Sequence, residues 1–379
     1  MKGHVRKRGS KWCFVIDVGR DENGKRIQKW FSGFDTKRAA EKAMAAKLQE
    51  INSGTYMPPT KETVEAFLRA WLKDKQAQVR PSTFRTYEWL TRMHIIPNIG
   101  HIELEDLRPP HLQTFYRRLQ EQDKPLSNRT ILHVHLLLHE ALDRAVKWGM
   151  VARNVADAVD PPRPEIKRTK VWTPEQAQKF LSVAQTNEPR FYIAFALAIL
   201  TGMRKSEILA LRWADIDWDN AVLYVNQTVT WTKQGPIFHE PKTDRSRRAV
   251  ALSPETIEAL RRHRVLQAGE RLLYGPAYQD NGFVLARMDG RPLYPRTLDN
   301  AWYRTLEAAD VPKIRFHDLR HTHASLLLAQ GVHPKIVSER LGHSTINITL
   351  DTYSHVLPGL QREVADRFDD LLFRKTGRN

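Results

Sequence analysis

KIRFHDLRHTHASLLLAQGV, residues 313–332, decides how the rest of the chain is read. His317, Arg320 and His321 stand at i, i+3 and i+4, the spacing that brings side chains onto one face of a helix, while Leu319, Leu326 and Leu327 turn the other way. A histidine and an arginine on one face suit a phosphodiester. Arginine grips two non-bridging oxygens bidentately, and histidine donates a hydrogen bond or moves a proton. The competing reading is a metal cluster of His317, Asp318, His321 and His323. It weakens because HDLRH has Asp and Arg where an HExxH helix carries Glu and a variable residue, and an arginine beside a dication is repelled.

Downstream, KIVSERLGHSTINITLDTYSHV places His343 in a Leu-Gly-His turn and Tyr353 ten residues later. Asp351, Thr352, Ser354 and His355 flank that tyrosine, where a buried one normally has apolar company. A tyrosine hydroxyl, with a pKa near 10, is a poor nucleophile unless cations flank it or a base takes its proton. Upstream, FYIAFALAILTGMRKSEILALRW reads as two apolar helices broken at Thr201-Gly202. Arg204 then lies near a helix start, where free N–H groups favour an anion, and Glu207 follows one turn later to orient it. AVLYVNQTVTW to HEPKTDRSRRAVAL alternates on both sides of a polar tip that carries Lys242, and reads as one short antiparallel sheet. Tyr192, Tyr224 and Tyr303 are expected in core or interface packing, and Tyr274, Tyr278 and Tyr294 in loops.

The charge of the whole chain agrees with a polyanionic partner: 60 Lys and Arg against 43 Asp and Glu leave +17 over 379 residues. No apolar run reaches the roughly 18 residues of a membrane span. The N-terminus has no apolar signal core, and a cytoplasmic protein is expected. The single cysteine, Cys13, excludes a disulfide framework within one chain. Two linkers, SGTYMPPT at 53–60 and DPPRPEIKRTK at 160–170, divide the chain into segments 1–55, 61–159 and 171–379.

The first segment alternates through KWCFVIDV, turns at Asn23-Gly24, resumes in RIQKWFSGF and becomes helical from Thr36 to about Ile51. It holds thirteen basic and six acidic residues, a net +7, concentrated at Arg6, Lys7, Arg8, Lys11, Lys25, Arg26 and Lys29. These are the candidate DNA contacts, because a β-ribbon fits a major groove. The second segment reads as four helices: 64–76, 81–100, 109–122 and from Leu126 to about Trp148. His133, His135 and His139 in the last are poor metal ligands, since no carboxylate completes a site nearby in sequence.

The order Arg, Lys, His-x-x-Arg, Leu-Gly-His, Tyr resembles the tyrosine recombinase (phage integrase) family. TGMRKSE (201–207) is similar to its first arginine box, PKTDRSRR (241–248) to its lysine hairpin, HDLRHTHAS (317–325) to its second box, and LGHS with DTYSH to its third. The resemblance implies a multi-domain, mainly α chain with small β-sheets (α+β). The parts would be a three-stranded arm-binding sheet plus helix, a SAM-like helical core-binding domain and a mixed α/β catalytic domain. It implies a site-specific integrase that joins DNA through a 3′-phosphotyrosyl intermediate, with Tyr353 as nucleophile. Arg204 and Arg320 would grip the phosphate, Lys242 would protonate the leaving oxygen, His317 would act as proton acceptor or hydrogen-bond donor, and His343 would add a hydrogen bond to the phosphate. Glu207 would buttress the arginines. No cofactor and no metal is implied. The partners would be double-stranded DNA of core and arm attachment sites, a homotetramer on that DNA, an excisionase and a DNA-bending host protein, with no membrane. A binding-only regulator, a type IB topoisomerase and a histidine-based metal nuclease are the alternatives. The C-terminal run PGLQREVADRFDDLLF would dock as an amphipathic helix in trans or in cis.

Overall fold

The computed structural model describes residues 3–20, 24–52, 61–165, 170–232, 234–240 and 247–353, with isolated positions 365, 368, 369 and 372 beyond. Lys242 and the run after Pro358 therefore lie outside the described residues or, for the run, nearly so. The chain divides into two compact units, Met1–Ile166 and Lys167–Asn379.

The first unit opens with β1 (Gly3–Arg8), β2 (Lys11–Arg20) and β3 (Arg26–Phe34), an antiparallel sheet in sequence order. Helix α1 (Lys37–Asn52) covers one face, where Phe14 and Ile16 are buried with Ala40. Gly3 lies there too, and a Cβ on it would meet the Met44 Sδ at 2.7 Å. Strand alternation therefore separates the basic residues. Register pairs Gly3 with Ile16 and Ile16 with Lys29, so Lys7 and Lys29 share the helix side, while Arg6 and Arg8 take the outer side. Lys11 pairs with Arg8 on that outer side.

The helices that follow are α2 (Val64–Gln76), α3 (Pro81–Leu90), α4 (Ile96–Ile99), α5 (Pro109–Glu121) and α6 (Asn128–Lys147). They enclose their own core, which includes Phe67, Trp71, Leu112, Phe115, Val134 and Leu138. Thr63 and Ser127 cap α2 and α6 by accepting N–H groups of Ala66 and Thr130, each at 3.2 Å. The helix expected over 81–100 runs from Pro81 to Ile99 with one irregular turn. A wider π turn spans Thr91–Ile95, because Pro97 has no N–H for the i−4 ladder.

The histidines of α6 separate as well. His133 is exposed, and His135 is buried against the Tyr116 hydroxyl at 3.1 Å. Contrary to expectation, carboxylates do approach His139: Asp157 lies 2.8 Å from Nε2 and Asp143 lies 3.5 Å from Nδ1. Asp157 is eighteen residues away in sequence, which is why no local pattern revealed it.

The second unit begins with α7 (Pro174–Asn187), α8 (Pro189–Thr201) and the single-turn α9 (Lys205–Ile208). The stretch expected as one sheet forms two. β4 (Ile216–Asp217), β5 (Val222–Val225) and β8 (Arg248–Ala251) make one, and β6 (Thr228–Thr232) with β7 (Gly235–His239) makes a separate hairpin. Helices α10 (Pro254–Tyr274), α11 (Pro295–Ala309), α12 (Asp318–Ala329), α13 (Pro334–Leu341) and α14 (Ile346–Tyr353) complete it. Trp302 anchors the core, with Phe180 at 4.8 Å, Trp172 at 5.6 Å and Phe316 at 5.6 Å between ring centroids. This aromatic cluster joins α7 and α11 to the segment that leads into α12, and so sets where α12 presents its polar side chains. Among the described residues, no helix is long and apolar enough to cross a membrane.

Two glycines end helices in the left-handed region, Gly202 after α8 (φ 69°) and Gly342 after α13 (φ 67°). At Gly202 a Cβ would also lie 2.6 Å from Leu341 Cδ2 and 2.7 Å from His323 Cδ2. Gly202→Ala is therefore expected to destabilise the chain by about 2–4 kcal/mol, combining a left-handed alanine with overpacking. Urea denaturation checks this, and a change below about 0.5 kcal/mol would show that α8 and α13 can separate freely.

Candidate functional site

The boxes read from the sequence converge in space. Arg204, His317, Arg320, His321, His343 and Tyr353 line one cavity of about 370 Å³ in the second unit. Lys242 lies outside the described residues, and only its flanks in β7 and β8 are placed.

Arg320 is the centre of the arrangement. It is 3% exposed, and each arm of its guanidinium is anchored by one hydrogen bond: Nη1 donates to the Gly202 carbonyl at 2.8 Å and Nη2 to the Leu341 carbonyl at 2.6 Å, which leaves a further N–H on each nitrogen. Both acceptors are among the carbonyls left unpaired at helix C-termini, where the helix dipole is negative and a cation is favoured. Arg204 extends the pattern by donating from Nη2 to the Gly342 carbonyl at 3.3 Å. Burial first, then the charge of Arg204, lowers the Arg320 pKa to about 9, so the group is still cationic at neutral pH.

Glu207 does more than orient Arg204. Its carboxylate accepts the Arg204 backbone N–H at 2.8 Å and Arg204 Nη1 at 2.7 Å. One of the N–H groups that the sequence suggested for an external anion, that of Arg204, is therefore capped from within the chain, a correction that follows from the reach of a glutamate at N3. The same carboxylate accepts Arg248 Nη1 at 3.2 Å and Nη2 at 2.8 Å. Burial would raise the Glu207 pKa, but the hydrogen bond and charge of Arg248, with the charge of Arg204, bring it down to about 2. Two guanidiniums, of Arg204 and Arg248, thus meet one carboxylate, and a third, of Arg320, is buried on carbonyl oxygens, leaving an excess of positive charge in a poorly solvated place. Such a site is built to take an anion.

The histidines have distinct partners. His343 Nδ1 lies 2.8 Å from Thr349 Oγ1, and His323 Nδ1 lies 2.8 Å from the Ile199 carbonyl. His321 Nδ1 lies 2.7 Å from the Tyr353 hydroxyl. The His317 ring stands edge-on to His321, with centroids 5.3 Å apart. Among the described residues, His317 makes no hydrogen bond through its ring. Burial, followed by neighbouring cations, lowers His317, brings His343 to about 3 and His323 to about 4. The cluster weighed as a metal site is dispersed: Asp318 pairs with Arg315 at 2.7 Å, and His323 is buried against backbone.

Tyr353 departs most from expectation. Polar neighbours in sequence suggested exposure, but the side chain is 2% exposed and packs with Ala324, Leu328, Val337 and Leu341. The short helix α14 carries it back onto α12 and α13, so its apolar company comes from other elements. Burial raises its pKa to about 12, with Arg320 opposing the rise. Of the three tyrosines expected in core or interface packing, Tyr192 packs against the main core, while Tyr224 (42% exposed) and Tyr303 (60% exposed) lie at the surface.

Two contributors were missed. Arg248 shares its strand parity with buried Val250, so the alternation of β8 already marked it as inward-facing. Arg340 donates to His323 Nε2 at 3.2 Å, to the Ala251 carbonyl at 3.1 Å and to the Leu200 carbonyl at 3.1 Å, tying α13 to β8 and α8. Nothing in its local sequence distinguished it from a surface arginine. In the first unit, Arg6 stacks on Trp30 at 3.9 Å from the ring centre. Lys11 pairs with Asp35, and Lys25 and Arg26 are exposed at the far end of β3.

Known proteins match this geometry along the whole chain. Residues 170–359 match the phage integrase family, residues 63–120 the phage integrase N-terminal SAM-like domain, and residues 4–51 the arm DNA-binding domain. A tyrosine recombinase XerC-like protein of Caldanaerobacter subterraneus is 31% identical over 96% of this chain and 97% of its own. The ICEBs1 integrase of Bacillus subtilis is 29% identical over 80% of this chain and 81% of its own. Among solved structures, the Tn1549 transposon integrase in complex with a circular intermediate DNA aligns at TM-score 0.69, with 22% identity, over 81% of this chain and 99% of that one. A lambda integrase tetramer bound to a Holliday junction aligns at TM-score 0.58, with 19% identity, over 92% and 94%.

Two outcomes follow from the electrostatics. Glu207→Gln leaves Arg204 and Arg248 without their buried counter-charge and is expected to cost about 3 kcal/mol or more in denaturant titrations. A loss below about 1 kcal/mol would mean that the guanidiniums find other partners. Acidification acts through the histidines: their folded pKa values lie below the unfolded 6.5, so the unfolded chain binds more protons between about pH 6.5 and 4. Stability is therefore full above pH 6.5 and falls across that window. A urea midpoint that stays constant from pH 7 to 4.5 would contradict it.

Proposed function

The chain belongs to the phage integrase family of tyrosine recombinases, and from that premise we propose that Tyr353 attacks the scissile phosphate of DNA gripped by Arg204 and Arg320. The protein is a site-specific recombinase that binds double-stranded DNA, cuts it and rejoins it through a 3′-phosphotyrosyl intermediate in the movement of a mobile element. The observation that carries the residue assignment is the cavity itself: a buried arginine held by two helix C-termini, a second arginine beside it, and a tyrosine hydroxyl on the same wall.

In this reading Arg204 and Arg320 bind the non-bridging oxygens and offset the charge that builds in the pentacovalent transition state. The Tyr353 oxygen forms a bond to phosphorus while the bond to the 5′-oxygen breaks, and Lys242 supplies the proton that the departing oxygen needs. His317 and His343 donate hydrogen bonds to the phosphate. Rejoining reverses the steps with a new 5′-hydroxyl, and the phosphotyrosyl bond conserves the energy. Glu207 acts through the arginines and does not touch DNA.

The proposed division of labour assigns 1–55 to arm-type DNA, 61–159 to core-type DNA and 171–379 to chemistry. Arg6, Arg8 and Lys11 on the outer sheet face, with Lys25 and Arg26 at its end, are the candidate groove and phosphate contacts; Lys7 and Lys29 approach from the helix side. A homotetramer on two duplexes, an excisionase, a DNA-bending host protein and a bacterial cytoplasmic setting complete the proposal. The tetrameric form is supported by the lambda integrase assembly on a Holliday junction.

Tyr353→Phe is expected to bind DNA as tightly as the parent, within about twofold, while forming no covalent adduct in EDTA on a nicked duplex that carries the joined ends of the DNA bearing this gene. An adduct in that variant would move the nucleophile elsewhere. Residues 61–379 alone are expected to form the adduct but to recombine poorly on full attachment sites. Undiminished recombination in two-plasmid assays would remove the arm assignment.

A further inference from the structure

The resemblance offers His317 as a proton acceptor, yet among the described residues the ring that meets the Tyr353 hydroxyl is that of His321. Tyr353 is a phenol at its point of attack, and its proton must leave as the oxygen bonds to phosphorus. We propose that His321 is a further catalytic residue, accepting the Tyr353 hydroxyl proton on Nδ1 during strand cleavage and returning it during rejoining. This rests on Tyr353 being the nucleophile.

The geometry is specific. His321 Nδ1 lies 2.7 Å from the Tyr353 hydroxyl, within the range of a direct proton transfer, and the contact spans 32 residues of sequence. Of the four histidines of this region, His343 is bonded to Thr349, His323 to backbone and His317 faces the cavity, so the ring beside the phenol is His321. Its i+4 relation to His317 on α12 puts the two imidazoles side by side, one toward the phosphate and the other toward the nucleophile.

The surrounding charges keep His321 in the form that can accept. From α12 and its approach it faces His317, Asp318, Arg320 and Arg315; from the turn before α14 it faces His343, and from α14 the Tyr353 hydroxyl. Burial first, then His317, lowers its pKa to about 4, so the imidazole is neutral at pH 7 and Nδ1 offers a lone pair to the phenol. Against a phenol raised to about 12 it is a weak base in the resting site. Two changes on DNA binding correct this. The phosphate charge offsets the part of the lowering that Arg320 and Arg315 contribute, and the phenol oxygen loses basicity as its bond to phosphorus forms. Proton transfer then accompanies attack: the Oη–P bond forms, the P–O5′ bond breaks, the phenol proton moves to Nδ1, and Lys242 protonates O5′.

The test measures single-turnover adduct formation by the full-length chain on the same nicked duplex from pH 6 to 9. The wild-type rate is expected to be flat. His321→Asn keeps an acceptor oxygen near the Nδ1 position but no basicity; it is expected to be roughly 100-fold slower at pH 7 and to gain about tenfold per pH unit as phenolate becomes available. A His321→Asn rate within about threefold of wild type would overturn the proposal, as would a loss of the same factor at every pH, which marks a positioning role only. Should His321→Asn fail to bind the duplex, the wild-type profile decides: a flat rate supports the proposal, and a rate climbing about tenfold per unit overturns it. Failure of the underlying reading is distinct, because it shows as an adduct that persists in Tyr353→Phe.

Discussion

The site depends on one guanidinium tying two helix ends together. Arg320 donates to the last carbonyls of α8 and α13, through Gly202 and Leu341, and those carbonyls need a partner as much as the buried arginine does. The contact draws together three stretches far apart in sequence: the arginine box near 204, the helix near 320 and the Leu-Gly-His turn near 342. A Cβ at position 202 would enter space that Leu341 and His323 occupy. The proposed phosphate grip and the helix packing therefore share the same arginine.

Around this tie the charges are deliberately unbalanced. Glu207 answers Arg204 and Arg248 and is buried, but among the described residues no carboxylate hydrogen-bonds Arg320. A buried cation solvated by carbonyl dipoles remains a cation, and burial together with its field keeps the nearby histidines neutral. In the proposed reaction a phosphate diester supplies the missing charge, and a site so arranged is preorganised for phosphoryl transfer.

Much of this was legible in linear form. The helices read over 64–76 and 109–122 form nearly at those bounds, and the glycines at 202 and 342 marked turns that end helices. The order of Arg, His-x-x-Arg, Leu-Gly-His and Tyr named the residues that line the cavity. Other features escaped because they depend on long-range contacts. Tyr353 looked exposed from its polar neighbours, yet its environment is made by Leu328, Val337 and Leu341. Asp157 reaches His139 from beyond the end of α6, and the strands around Lys242 divided into two sheets where alternation alone suggested one.

By itself the sequence determined the inventory: which residues are charged, where helices begin and end, and which side chains share a helical face. Those properties are local, set by spacing, capping and backbone freedom within a few residues. Tertiary structure alone decided the pairings. It determined that Glu207 would close its own helix start and hold Arg248, that Arg320 would bind carbonyls in place of a carboxylate, and that His321 would stand against Tyr353. Hydrogen-bond partners and burial depend on which surfaces meet across α8, α12, α13 and α14, and distance along the chain does not encode that meeting.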